Sequence, residues 1–290
     1  MRYATTGCAL YLLSATLSAP LWAQGYVLDE LSARRLGDAF SGGAAEARDA
    51  TTVYYNPAGL IRLKQQDLVA GASVLNNSVE FSGGAVSGTA DTAVTGDANF
   101  EYRSHDLVPH LYYAVPLKYQ GVIGVGFNVP IASTTEFPED SVVRYQNTES
   151  TLVGMRLTFS LAQPITDKLS VGAGFALQQL EAESHSAVDA YVFCSQLGLP
   201  NCGTPANAAN DGKMVIEADA MDWGVTAGVL YQWDEATRFG VAYRSRIEHD
   251  MEGELDLNVR NPVNASNLHL NSHAYLTMNS PAAVAISGYR

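Results

Sequence analysis

Residues 223–233 read WGVTAGVLYQW. Drawn as an extended chain, Trp223, Val225, Ala227, Val229, Tyr231 and Trp233 point to one side, and Gly224, Thr226, Gly228, Leu230 and Gln232 to the other. The first side is uniformly apolar; the second is mostly small or polar. The same period of two runs through LSVGAGFAL (169–177), GVIGVGFNV (121–129) and LVGMRLTFSLA (152–162). A soluble sandwich strand would turn its apolar face inward and a charged face to water. Here the second faces are Gly, Ser and Thr for long stretches, with charges such as Arg156, Arg244, Arg246 and Glu248 scattered among them. An apolar band outside and a polar lumen inside give a transmembrane barrel that texture. Trp223 and Trp233 supply a length check, since ten residues at roughly 3.3 Å each make about 33 Å. Tilted by about 40°, that projects to about 25 Å, the height of the apolar band between two aromatic girdles. The rival reading is two core tryptophans on a long soluble strand.

Working outward from this stretch, about eight strands are expected, at 64–82, 104–118, 120–131, 143–164, 168–186, 214–233, 237–255 and 270–288. The turns near Tyr119–Gln120, Thr166–Asp167 and Asp234–Ala236 are tight. The connections at 83–103, 132–142, 187–213 and 256–269 are long. Short turns on the periplasmic side and long loops outside are the outer-membrane pattern. The net charge of −13 argues against nucleic acid as a partner, because binding there rests on Lys and Arg neutralising phosphates.

The N-terminus reads as an export signal. Arg2 precedes the apolar run CALYLLSATLSAPLWA (8–23), which ends in small residues. A signal peptide over 1–23 is expected, and Cys8 sits too early in the run to suit a lipid anchor. No later segment is apolar enough to span a bilayer as a helix. Cys194 and Cys202 flank a short loop in the longest expected outer connection. In an oxidising compartment they are expected to form a disulfide, with a zinc pair as the rival.

YYNPAGL (54–60) interrupts the run-up to the first strand. Asn is a good N-cap and Pro is tolerated at the first helical position, so Asn56 should cap a short helical turn from Pro57 to about Leu63. An alanine in place of Asn56 should then cost about 1 kcal/mol. Ala58 and Gly59 would allow close approach to a barrel wall, and Tyr54 and Tyr55 would offer a face to an apolar ligand. No G-x-S-x-G, HExxH or Walker A motif occurs. His269 and His273 are four residues apart, but on a strand that separation is about 13 Å, too far for one ion. A Ser and a His from neighbouring strands could still make a lipid hydrolase, and His110, read as a lumen hydrogen-bonder, is the candidate for it. No cofactor, metal or catalytic residue is assigned.

The segment GYVLDELSARRLGDAFSGGAAEARDATTVYYNPAGL (25–60) resembles the mature N-terminus of the FadL family (FadL, OmpP1, TodX) of outer-membrane hydrophobic-compound transporters. The matching residues are Gly37, Phe40, Ser41, Gly42, Asn56, Pro57 and Ala58. The likeness continues through VPHLYYAVPL (108–117), STTEF (133–137), WGVTAGVLYQWDEATRFGVAYRS (223–245) and YLTMNSPAAVAISGYR (275–290). The resemblance implies an all-β, fourteen-stranded transmembrane antiparallel barrel. It also implies an N-terminal hatch plugging the lumen, here 24–62, with barrel strands over 63–290. The expected activity is passive uptake of long-chain fatty acids or aromatic hydrocarbons, with the ligand leaving sideways through a kinked third strand. Val129–Pro130 falls in that strand, and Pro cannot donate to a sheet ladder, so a break in pairing follows from chemistry as well. The expected substrate pathway is Phe40, Tyr54, Tyr55, Asn56, Pro57 and Ala58, and the expected partners are the outer-membrane bilayer and a hydrophobic ligand, with the chain acting as a monomer. Two departures stand out. The upper fifth strand carries Gln178, Gln179, Glu181, Glu183 and His185, where a basic residue for a fatty-acid carboxylate is expected. Only about eight strands are found, so an incomplete barrel with open edges is expected. A structural or adhesin-like barrel is the third reading.

Overall fold

The computed structural model describes residues 27–28, 31–87, 91–118, 120–196, 198, 201–260 and 267–290. The expected signal peptide and Cys8 lie outside the described residues, as do Tyr119 and residues 261–266 of one expected loop.

The alternating stretches are strands: β1 (Asp67–Ser82), β2 (Val86–Ser87), β3 (Thr92–Ala93), β4 (Asn99–Pro116), β5 (Val122–Glu136), β6 (Glu149–Pro164), β7 (Leu169–Val188), β8 (Gly212–Gln232), β9 (Arg238–Arg244), β10 (Ile247–Arg260), β11 (Asn267–Ser280) and β12 (Ala283–Tyr289). Apart from the small β2–β3 hairpin, they form one curled antiparallel sheet in the order β1-β4-β5-β6-β7-β8. The long β8 then pairs with β10 along its first half and with β9 along its second, and β11 and β12 pair with β10 and β9. All eight expected strands are present, and the last two are each broken into two pieces. The expected strand at 143–164 starts later, at Glu149, because Ser141–Asn147 closes into successive turns. The one at 120–131 runs on to Glu136, because a bulge at Pro130 lets the strand continue.

The two faces of the sheet are inverted relative to a water-soluble protein. Trp223 and Trp233 are 62% and 60% exposed, and Phe159, Phe175, Val225 and Phe239 are exposed beside them. The opposite face buries Ala162, Ala176, Thr226, Leu230 and Ala242. Exposing such an aromatic and aliphatic band is stable only against lipid. The break between β9 and β10 adds residues that flip the alternation. Arg244 points inward, but after Ser245 and Arg246 it is Ile247, His249 and Met251 that are buried, and Arg246 and Glu248 pair with each other in the open. The period-of-two assignment of Arg246 and Glu248 to the lumen is therefore corrected, for the reason that a bulge moves every later side chain to the other face.

The short turns lie at one end of the sheet. Trp233 N–H donates to Thr237 O at 2.9 Å, and Asp234 Oδ1 accepts from the N–H groups of Ala236 and Thr237. The long connections gather at the other end.

Residues 31–63 lie on the concave face. They form three single-turn helices (Ala33–Leu36, Gly43–Glu46, Thr52–Tyr55) and a 3₁₀ helix (Pro57–Arg62), bound inside by a buried Arg35–Glu46 pair at 3.0 Å. The wall beneath is flattened by a cross-strand row of small residues, Ala162, Gly172, Gly228 and Ala242. A Cβ on Gly172 would collide with Ala58 N, and one on Gly228 with Asn56 Oδ1. Close approach thus depends on glycines of the wall. Gly59, expected to serve that purpose, faces Thr52 and Ala47 of its own segment instead.

Candidate functional site

Asn56 is completely buried and extended, with φ −161°. Its Oδ1 accepts from Ala58 N–H at 3.0 Å, capping the 3₁₀ helix that Pro57 begins. Its Nδ2 donates to Ala44 O at 2.5 Å and to Val229 O on β8 at 3.2 Å. One side chain therefore closes the turn, ties it to the Gly43–Glu46 helix and fastens both to the wall. Ser170 Oγ adds a bond to Ala58 O at 3.0 Å. Arg238 of β9 donates to the carbonyls of Ala45 and Glu46.

Tyr54 and Tyr55 are both buried, but they part company. Arg35 lies over the Tyr55 ring at 4.2 Å, so Tyr55 belongs to the N-terminal segment. The Tyr54 ring is covered by Arg244 at 4.3 Å and approached by Arg156 at 5.9 Å. This corrects the expectation that a tyrosine face lines an apolar pocket: Tyr54 carries cations. Phe40, at φ 57°, packs partly buried against the same apolar cluster as Tyr54, Leu60 and Tyr112.

Above Tyr54, towards the long loops, one polar layer crosses the sheet. Arg156 on β6 donates to Gln178 Oε1 on β7 from Nε at 2.9 Å and from Nη2 at 2.5 Å. Gln178 Nε2 donates to Ser280 Oγ on β11 at 2.8 Å. Ser280 Oγ lies 3.4 Å from His249 Nε2 on β10, and His249 Nδ1 lies 3.2 Å from Asp222 Oδ2 on β8. Among the described residues neither Arg156 nor Arg244 has a carboxylate within ion-pair reach. Buried cations without an acid are costly unless something anionic or strongly polar meets them. Immediately outward of this layer, Ile131, Leu152, Leu180, Ala218, Ala220 and Met251 pack into an apolar layer.

The expected break in the third strand is present. Between Asn128 and Ile131 three steps on β5 answer two on β6, leaving Val129 and Pro130 without partners there. Leu28 N–H donates to Pro130 O at 2.8 Å, and Val27 bridges to Ile131. Val27 and Leu28 therefore cover the break. His110 sits opposite Asn128, buried under Gly71, and its Nδ1 has no partner. The expectation that it is a lumen hydrogen-bonder is not met at that nitrogen.

The outer connections are interlocked around Arg144. Its guanidinium donates to Thr95 O at 2.7 Å, Ser141 O at 3.1 Å, Ala206 O at 3.2 Å and Asp211 Oδ2 at 2.6 Å, which joins three loops. Burial pushes the Tyr145 phenol well above its usual range, so it stays protonated and donates to Asp211 Oδ1 at 2.7 Å. Cys194 and Cys202 are joined as a disulfide in the third of these loops. Glu149, Glu183 and His185 offer ligand atoms within 4.8 Å of one another. Both imidazole nitrogens already lie against these carboxylates, Nδ1 at 2.9 Å from Glu149 and Nε2 at 2.8 Å from Glu183. His269 and His273 do not converge; His269 faces Asp256 at 3.4 Å.

Asn56, Pro57, Ala58 and Tyr54 are thus brought together, Val129 and Pro130 lie at the covered break, and the cysteines stand apart in the outer cap. Arg156, Gln178, His249 and Ser280 were not picked out as a site. A charged residue at an inward position of an apolar strand was the available signal for Arg156. His249 and Ser280 gave none, since both follow the bulge.

Residues 14–290 match the family described as outer membrane protein transport protein (OMPP1/FadL/TodX). A long-chain fatty acid transport protein of Salmonella typhi is 28% identical over an alignment of 299 positions that covers 98% of this chain and 66% of that protein. The chain thus spans just under two thirds of that relative. Among solved structures, a Pseudomonas aeruginosa FadL homologue superposes with a TM-score of 0.72 at 17% identity, covering 92% of this chain and 66% of the other. The Ralstonia pickettii toluene transporter TbuX does so with a TM-score of 0.60 at 20% identity, covering 86% and 65%. At these identities the two structures establish the fold.

Proposed function

The chain belongs to the OMPP1/FadL/TodX family of outer-membrane transport proteins, and from that premise we propose that it admits long-chain fatty acids across the outer membrane by passive diffusion. Residues 31–63 act as the hatch that floors the lumen, and the break at Val129–Pro130 is the lateral way out, covered at rest by Val27 and Leu28. One observation carries the choice of ligand: the Arg156–Gln178 layer directly beneath the apolar layer of Leu152, Leu180 and Met251. The basic residue expected on the fifth strand is supplied by its neighbour, the fourth. A neutral aromatic hydrocarbon would leave Arg156 and Arg244 without an anionic partner, so the fatty acid is preferred.

The relatives are transport proteins, and no catalytic step is invoked. Uptake of a labelled long-chain fatty acid and of toluene by cells carrying the protein tests the reading. Arg156→Leu should depress fatty-acid uptake about tenfold, the loss of one charged hydrogen bond or more, and leave toluene unaffected. Equal loss of both would contradict it. Ester cleavage that disappears in Ser280→Ala would favour the hydrolase rival.

A further inference from the structure

The polar layer contains a buried imidazole, His249, that the transport reading does not use. Arg156 is a pure donor, so the Gln178 oxygen must face it and the Gln178 amide N–H groups must face Ser280. This fixes the direction of the chain: Ser280 Oγ accepts from Gln178 at 2.8 Å. The single Ser280 hydrogen then has one buried acceptor in reach, His249 Nε2 at 3.4 Å. A neutral His249 accepts it, with its own proton on Nδ1 towards Asp222.

When His249 takes a second proton, Nε2 becomes a donor to Ser280. The Ser280 hydroxyl can no longer give its hydrogen to the ring, and that hydrogen is released for another acceptor. One protonation therefore adds a positive charge and releases one hydrogen-bond donor at the floor of the apolar layer. The charged and titratable groups facing His249 are Asp222 from β8 and Arg156 from β6. β7 and β11 contribute the neutral Gln178 and Ser280.

We propose that His249 is a positioning residue that sets the head-group selectivity of the lumen through Ser280, favouring an anionic head over a neutral one as pH falls through the imidazole range. The geometry supports this because the chain from His249 through Ser280 and Gln178 to Arg156 is continuous, buried and has one direction in each protonation state. It rests on the lumen being the ligand site. Proton binding and anion binding then strengthen each other by the same factor.

The test is binding of a long-chain fatty acid and of the alcohol of equal chain length to the purified full chain, at about pH 8 and about pH 6. In the wild type the acid-to-alcohol affinity ratio should rise about tenfold between the two, as expected for one added charge-assisted hydrogen bond. His249→Gln should bind both ligands with a flat ratio. Ser280→Ala, which keeps the charge but has no hydrogen to release, should show a smaller rise. Should His249→Gln fail to fold, Ser280→Ala decides alone. A flat wild-type ratio, a full rise in His249→Gln, or an undiminished rise in Ser280→Ala overturns the proposal while leaving the ligand site standing. Binding of neither ligand at either pH overturns the ligand site and the proposal with it.

Discussion

Asn56→Ala removes three bonds at once, and its cost can be built from them. The cap on Ala58 N–H is worth about 1 kcal/mol. Ala44 O loses a buried partner at 2.5 Å, which costs about 1–3 kcal/mol when nothing replaces it. Val229 O keeps its place in the sheet ladder, so the lost bond at 3.2 Å adds little. The total is about 3 kcal/mol, well above the cap alone, and it falls on the docking of residues 31–63 rather than on the sheet. A change of that size raises the undocked fraction of the segment by about a hundredfold. Limited proteolysis of the folded protein should show new cleavage within residues 31–63 while the sheet stays resistant. Small-solute leakage should rise, or fatty-acid uptake should fall. Asn56→Asp, which keeps the capping oxygen but sets a buried, unpaired carboxylate oxygen against the Ala44 carbonyl, should be at least as protease-sensitive as alanine. Unchanged protection, leakage and uptake in the alanine variant would refute the reasoning.

Three further outcomes are expected. Phe159→Arg, on the exposed apolar band, should destabilise the protein in bilayers by about 2–4 kcal/mol, measured by reversible unfolding from vesicles; no loss would mean the band does not face lipid. Arg144→Ala should cost about 3–5 kcal/mol locally, because it strands a buried Asp211. Protease sites should then open together in the loops holding Thr95, Ser141 and Ala206, whereas cleavage confined to the loop of residue 144 would show that the cap is not one unit. Thiol counting on unreduced protein should find Cys194 and Cys202 blocked, and two reactive thiols would contradict the disulfide.

The wall was legible because its signal is repeated and local. Each strand carries its own alternation, and Trp223 and Trp233 mark both ends of one apolar face. The Asn56–Pro57 turn was legible for the same reason, as a cap and an N1 proline are adjacent in sequence. Pairing across the sheet was not. Arg156 and Gln178 are twenty-two residues apart and become partners only through the β6–β7 register. The lumen identity of His249 depends on a bulge at Ser245–Arg246 that leaves no mark in the pattern of two. Gly172 and Gly228 looked like neutral members of a polar face, and only the docked segment reveals why a side chain there is forbidden.

The central claim is that a hydrophobic ligand sits inside the lumen, with its chain on the layer of Leu152, Leu180 and Met251 above the docked segment. Photo-crosslinking with a long-chain fatty acid bearing a diazirine near its tail, in outer membranes and with unlabelled acid as competitor, tests it most directly. The account predicts competable adducts on the peptides containing Leu152, Leu180 and Met251, at the inward-facing residues. Adducts confined to outward residues such as Phe159, Val225 and Phe239, or adducts that unlabelled acid does not displace, would contradict it.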